Sequence, residues 1–332
     1  MRLARLALLM LVLAAVPAAS VVAQTPGPES DEQAAQSDEP KRPRCFGAAS
    51  RDPMKRCSNP ALRRMVFPTP ADAELEPNSE CRLLGKEGEL NPCEFGVDAS
   101  VATENIALVG DSHAAHWRAA IDRLMAEKQW RGISMTKAGC PLSTAVSDIP
   151  EPKKTQCIKF KRQLFRWFEN HPEVTTVITS NHTGGKVVGA RGRDYAAHVE
   201  GYAEALAKLA PSVKRVISIR DVPRNSRATM KCVRKAIRKK LAAGSTCALR
   251  RGYALRKDPA TAAAQRSDPR RVQLVDLTRF MCGRRTCLPV VGGALVHKDE
   301  THLTRVFAVT LGPYLLRHVD RAFSHMAAGT RP

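Results

Sequence analysis

Five short apolar runs alternate with longer segments whose apolar positions recur every three to four residues. The runs lie at 106–109, 133–136, 174–179, 213–219 and 272–277. Each is short, and β-branched and apolar enough for a strand buried in a parallel sheet. The segments between them predict helices. Trp117, Ile121, Leu124 and Met125 mark one apolar stripe, Leu164, Trp167 and Phe168 a second, and Tyr202, Leu206 and Leu209 a third. A last stripe of Leu303, Val306, Phe307, Thr310, Leu311, Tyr314 and Leu315 predicts a C-terminal helix, kinked by Pro313. This alternation implies an α/β fold, a parallel sheet with helices on both faces. Ligands in such folds sit beyond the carboxyl ends of the strands.

The pattern is different before residue 97. Arg2 and Arg5 precede an apolar run at 6–16, small residues follow, and Val21-Val22-Ala23 offers a cleavage site before Gln24. This predicts a signal peptide over 1–23. The run falls short of the roughly 20 apolar residues of a membrane span, so cleavage is expected rather than anchoring. No later stretch is long or apolar enough to span, and the mature chain is expected to be soluble and either secreted or periplasmic. Residues 24–44 are rich in Pro, Glu, Asp, Gln and Ser and predict a disordered linker. Residues 45–325 suffice for a single α/β domain with a sizeable core. Within them, 45–96 carries Pro, Cys and polar residues without periodicity and is expected to wrap the domain as a disulfide-stapled extension.

Ten cysteines suit an oxidising compartment. The simplest pairing joins sequence neighbours: Cys45 with Cys57, Cys81 with Cys93, Cys140 with Cys157, Cys232 with Cys247, and Cys282 with Cys287. No C-x-x-C pair occurs and the spacings are long for a structural zinc site, so no metal is expected.

Lys and Arg number 53 against 32 Asp and Glu, and loss of Arg2 and Arg5 lowers the formal charge from +21 to +19. A solvated basic surface explains this, as does attraction to an acidic envelope polymer. Nucleic acid is disfavoured by export and by an aromatic content of 5% without basic–aromatic interleaving. Lys231, Arg234, Lys235, Arg238, Lys239 and Lys240, backed by Met230, Val233, Ile237 and Leu241, predict a surface helix with a solvated basic face.

Two motifs carry chemistry. Ser112 lies in Val109-Gly110-Asp111-Ser112-His113, between the first apolar run and the first periodic segment. Asp111 or Ser112 there is a natural helix cap. A hydroxyl at that position also lies beside free N–H groups and the positive end of a helix dipole, which stabilise an oxyanion. Asp299 and His302 stand three residues apart before the last periodic segment. That spacing lets the carboxylate hold one imidazole nitrogen and leaves the other for a serine. The expected roles are Ser112 as nucleophile, His302 as general base then acid, and Asp299 as orienter. His113 and His116 are read as packed or solvated rather than metal-bound, His182 and His297 as lining the cleft or having no role, and Asp276 as a strand-end residue without an assigned role.

The combination resembles the SGNH (GDSL-like) hydrolase superfamily, and most closely the SGNH domain at the C-terminus of membrane acyltransferase-3 proteins that O-acetylate envelope polysaccharides. The segments that carry it are 107–117, Thr136-Lys137-Ala138-Gly139-Cys140-Pro141, Leu274-Val275-Asp276 leading to Cys282 and Cys287, the 232–247 segment, and Lys298-Asp299-Glu300-Thr301-His302-Leu303-Thr304. The resemblance spans roughly residue 45 to the C-terminal helix. It implies a three-layer α/β/α sandwich and a Ser–His–Asp triad. It also implies oxyanion donors from the Ser112 N–H, the Gly139 N–H and an asparagine side chain, for which Asn181 is the candidate. Asn181 also fits a turn residue before Gly184-Gly185.

The resemblance implies a serine O-acyltransferase or esterase, the acyl group acetyl and the acceptor an envelope glycan, with no metal or organic cofactor. The membrane acyltransferase domain that usually precedes this module has no counterpart in the sequence, so a transferase would draw acyl groups from a separate membrane protein. The rival reading is a basic glycan-binding module that keeps the fold without the activity.

Overall fold

The computed structural model describes residues 42–85, 88–189 and 195–328. The expected signal peptide, and the expected linker up to residue 41, lie outside them. From Pro43 onward the chain forms one compact unit.

A seven-stranded sheet forms its centre. Its strands are β1 (Arg82–Leu83), β2 (Cys93–Gly96), β3 (Glu104–Gly110), β4 (Trp130–Thr136), β5 (Val174–Ser180), β6 (Arg215–Ile219) and β7 (Val272–Val275), in the order β1-β2-β4-β3-β5-β6-β7. The last five of that order run parallel. Strand β2 runs antiparallel to both of its neighbours, β4 and the edge strand β1, so the sheet is mainly rather than wholly parallel. The N-terminal extension thus adds two strands to the sheet as well as covering it.

Alternation along β3 explains the layers. Ile106 and Leu108 face one side and Ala107 and Val109 the other, all fully buried. On the first side lie α2 (Arg118–Lys128) and α7 (Arg305–Ala328), where Trp117, Ile121 and Leu124 meet Phe307, Leu311 and Leu315. On the second lie α3 (Lys153–Asn170), α4 (Tyr195–Lys208) and α6 (Pro259–Arg266), with Phe160, Leu164, Phe168, Leu206 and Ala263. The result is an α/β/α sandwich. Helix α7 continues through Pro313 as one element. The basic segment forms α5 (Arg227–Arg238), with Met230 and Val233 buried.

Two strands are shorter than the apolar runs suggest. Val213 and Lys214 stay outside β6, because the Val213 N–H closes a turn at 211–212 by bonding to the Ala210 carbonyl. Asp276 leaves β7 because its carboxylate accepts from the Thr278 N–H (2.8 Å) and hydroxyl (2.6 Å), which bends the chain. All five disulfides join sequence neighbours: Cys45–Cys57, Cys81–Cys93, Cys140–Cys157, Cys232–Cys247 and Cys282–Cys287.

Candidate active site

The carboxyl end of β3 makes the sharpest turn in the site. Gly110 adopts φ +145°, and a Cβ there would collide with the Ser180 carbonyl on β5. Only glycine lets the two strands close so tightly. The chain then enters α1 (Ser112–Ala115), whose first N–H groups are capped by Asp111: its Oδ1 accepts from the His113 N–H at 2.8 Å. Asp111 Oδ2 accepts from the His182 N–H at 2.9 Å. Asp111 is therefore the cap, and the Ser112 side chain is left to point elsewhere.

It points to His302. Ser112 Oγ lies 2.8 Å from His302 Nε2, and His302 Nδ1 lies 2.7 Å from Asp299 Oδ2. The other oxygen of Asp299 accepts from the Thr301 and His302 N–H groups, each at 2.8 Å. The carboxylate thus orders its own loop and orients the ring together. Partial burial disfavours its charge, but the hydrogen bonds from the His302 ring and the two N–H groups hold it well below the usual carboxylate range. The Asp299 bond favours the tautomer with the proton on Nδ1, which leaves Nε2 to accept from the serine.

Ser112 and Gly139 line one cleft of about 180 Å³, together with Pro141, Ala145, Ile149 and Val187. Gly139 takes a left-handed φ of +69° in the turn after β4, and that turn is tied to α3 by Cys140–Cys157. Asn181 does not line this cleft. It is buried, its Oδ1 accepts from the Leu142 N–H at 2.8 Å and its Nδ2 donates to Thr179 Oγ1 at 3.2 Å. The structure brings Ser112, His302, Asp299 and Gly139 together and sets Asn181 behind them, where it braces the Gly139–Leu142 turn.

Four imidazoles gather around the serine. The His113 ring centroid is 5.0 Å from that of His116, 4.4 Å from His182 and 4.9 Å from His302. Burial pushes His116 well down, and His182 and His297 down to about 4, so these three are neutral. His113 differs. Burial opposes its charge, but Asp221 Oδ1 lies 2.6 Å from its Nδ1 and raises it above the ordinary histidine value. Asp221 Oδ2 also accepts from the Thr183 N–H at 2.8 Å. Asp111 and Asp221 thereby hold the loop after β5 that carries His182. Asp221 escaped sequence reasoning, although it follows an apolar run at the carboxyl edge of the sheet as Ser112 does. Among the described residues no group of three or more His, Cys, Asp or Glu is arranged to hold a metal ion.

No curated protein matches the chain. Among solved structures, the fold is similar to that of the periplasmic domain of the lipopolysaccharide acetyltransferase of Salmonella ser. Paratyphi A, with a TM-score of 0.51 and 16% identity over 69% of this chain and 90% of that one. The model of the SGNH domain fused to AT3 domains matches residues 78–317. With the model covering most of its length, the chain belongs to the SGNH family of domains that occur fused to AT3 domains.

Proposed function

We propose that the protein is an exported serine O-acyltransferase or esterase that works through an acyl-serine on an envelope glycan. The observation that carries this is the continuous relay from Ser112 Oγ to His302 Nε2 to Asp299, at 2.8 and 2.7 Å, at the mouth of a cleft shared with Gly139. Family membership supports the reaction class, and five disulfides fit an oxidising compartment.

In the proposed reaction His302 Nε2 takes the hydroxyl proton as Ser112 Oγ attacks the ester carbonyl. The carbonyl oxygen becomes an oxyanion held by the N–H groups of Ser112 and Gly139, neither of which donates to another described residue. Asn181 serves this step by bracing the turn that presents Gly139, with one amide proton still uncommitted. The intermediate collapses, the bond to the departing alcohol breaks, and His302 returns its proton to that alcohol. Water or a sugar hydroxyl then gives its proton to His302 and attacks the acyl-serine; the acyl–Oγ bond breaks, His302 returns the proton to Ser112, and an acid or a new ester leaves. The acyl group is acetyl, and in the transfer reaction its donor is a separate membrane protein. The domain limits follow the same reading: a signal peptide to 23, a linker to 44 and one catalytic domain to 325.

The test is release of p-nitrophenol from p-nitrophenyl acetate by the oxidised protein. Ser112→Ala and His302→Ala are each expected to lose about 10³-fold or more in turnover. Equal rates in the wild type and both variants would favour a glycan-binding module without activity.

A further inference from the structure

His182 separates the Ser112 cleft from a second cavity of about 210 Å³. The buried side of this cavity is the His113–Asp221 pair, and its exposed side is Tyr253 and Arg256, with Arg224 half-buried between them. One wall is fixed to the triad loop, since the Asn225 N–H donates to the Glu300 carbonyl at 2.6 Å. The cavity therefore abuts the loop that carries Asp299 and His302, through Glu300 and Thr301.

Its charges do not cancel. Asp221 is paired with His113 at 2.6 Å, and Glu300 with Arg227 at 3.0 Å. Arg224 and Arg256 have no carboxylate partner among the described residues. Arg224 is nevertheless held in place: its Nε donates to the Tyr253 carbonyl at 3.0 Å, and its guanidinium sits 4.0 Å over the Tyr253 ring. Two unneutralised guanidiniums, one of them already ordered, form a recognition element for a carboxylate or phosphate, whose oxygens match their fork of N–H donors.

The two cavities differ in kind. The Ser112–Gly139 cleft has an apolar side of Ala145, Ile149 and Val187 beside Ser143, Ser147 and Lys186, and that side suits a small acyl group. The cavity beyond His182 is walled by charged and polar groups and suits a hydroxylated anion. We propose that this second cavity is the subsite for the alcohol half of the ester, and that Arg224 and Arg256 select a sugar carrying a carboxylate or phosphate. Its place in the reaction rests on the acyl-serine reading; its preference for an anion rests on the unpaired arginines alone.

The experiment reads binding on the Ser112→Ala protein by calorimetric titration with glucuronic acid, glucose 6-phosphate and glucose. At least one of the two anions is expected to bind, more weakly as salt is raised, and to bind at least about tenfold tighter than glucose. Whichever anion binds tighter identifies the group selected. Adding Arg224→Gln or Arg256→Gln is expected to weaken that anion about tenfold, and Arg256→Glu to abolish its binding. Arg256 is exposed, so its variants keep the fold, which an unchanged Tm would verify. Equal binding of glucose and the anions, no binding of either anion, or unchanged affinity in folded arginine variants would each overturn the proposal. Because binding is read without turnover, inactivity toward p-nitrophenyl acetate would sink the acyl-serine reading and leave this result to stand separately.

Discussion

His113 Nδ1 and Asp221 Oδ1 lie 2.6 Å apart with both side chains 2% exposed, adjacent to Ser112. A carboxylate and an imidazole so thoroughly desolvated depend on each other to hold their charges, with the Thr183 N–H as a further donor to the carboxylate. Asp221 also fixes the loop that carries His182, so the pair is a brace between β6, α1 and the cleft wall.

This pair predicts a bell-shaped stability profile. His113 is raised above its ordinary 6.5, so its contribution is complete below that pH and is lost as pH rises through the higher folded value. Asp221, despite the opposing effect of burial, is lowered below 3.8 by His113, so its contribution is present above that pH and lost as pH falls below it. Asp221→Asn should cost about 3–5 kcal/mol near pH 6 and flatten the alkaline fall in Tm. Thermal melts from pH 4 to 9 would check this, and an identical alkaline slope in both proteins would count against the pair.

Asp299→Asn is expected to cut turnover of p-nitrophenyl acetate by about 10²- to 10⁴-fold with little change in KM. The amide oxygen can keep the Thr301 and His302 N–H bonds, so the loop survives while the preference for the Nδ1–H tautomer is lost. The wild-type carboxylate lies below 3.8 and stays ionised from pH 5 upward. An acid limb of activity above pH 5 should therefore not arise from Asp299, and a pH–rate profile of both proteins would show this.

Removal of Cys140–Cys157 by paired alanine substitution should cost about 3 kcal/mol and lower kcat, because Gly139 directly precedes Cys140. Removal of Cys232–Cys247, which closes a loop of similar length on α5, should cost a similar amount and leave kcat intact. Melting curves and turnover of both variants would separate stapling of the fold from positioning of the turn.

The parallel part of the sheet was legible because a strand buried on both faces is apolar at every position, as at 106–109. Strand β2 was not. It is four residues long and contains Glu94, whose buried charge is paired with Arg131 on β4 at 2.7 Å and with Arg82 on β1. A charged residue reads as exposed until its partner is known. Asp111 presents the same difficulty in reverse: a cap and a reacting hydroxyl share one sequence pattern, and only the direction of the Ser112 side chain separates them.

The order of elements, the cysteine neighbours and the pairing of Asp299 with His302 are local properties. They depend on periodicity, short loops and a three-residue spacing, so the chain by itself points to them, and the structure fixes which cysteines bond. The approach of His302 to Ser112 across 190 residues, the engagement of Asn181 behind the cleft and the burial of His113 against Asp221 are not local. They follow from which strand ends the sheet order sets side by side. Tertiary structure decides them because a polar side chain has many possible partners in sequence, and burial leaves it with one.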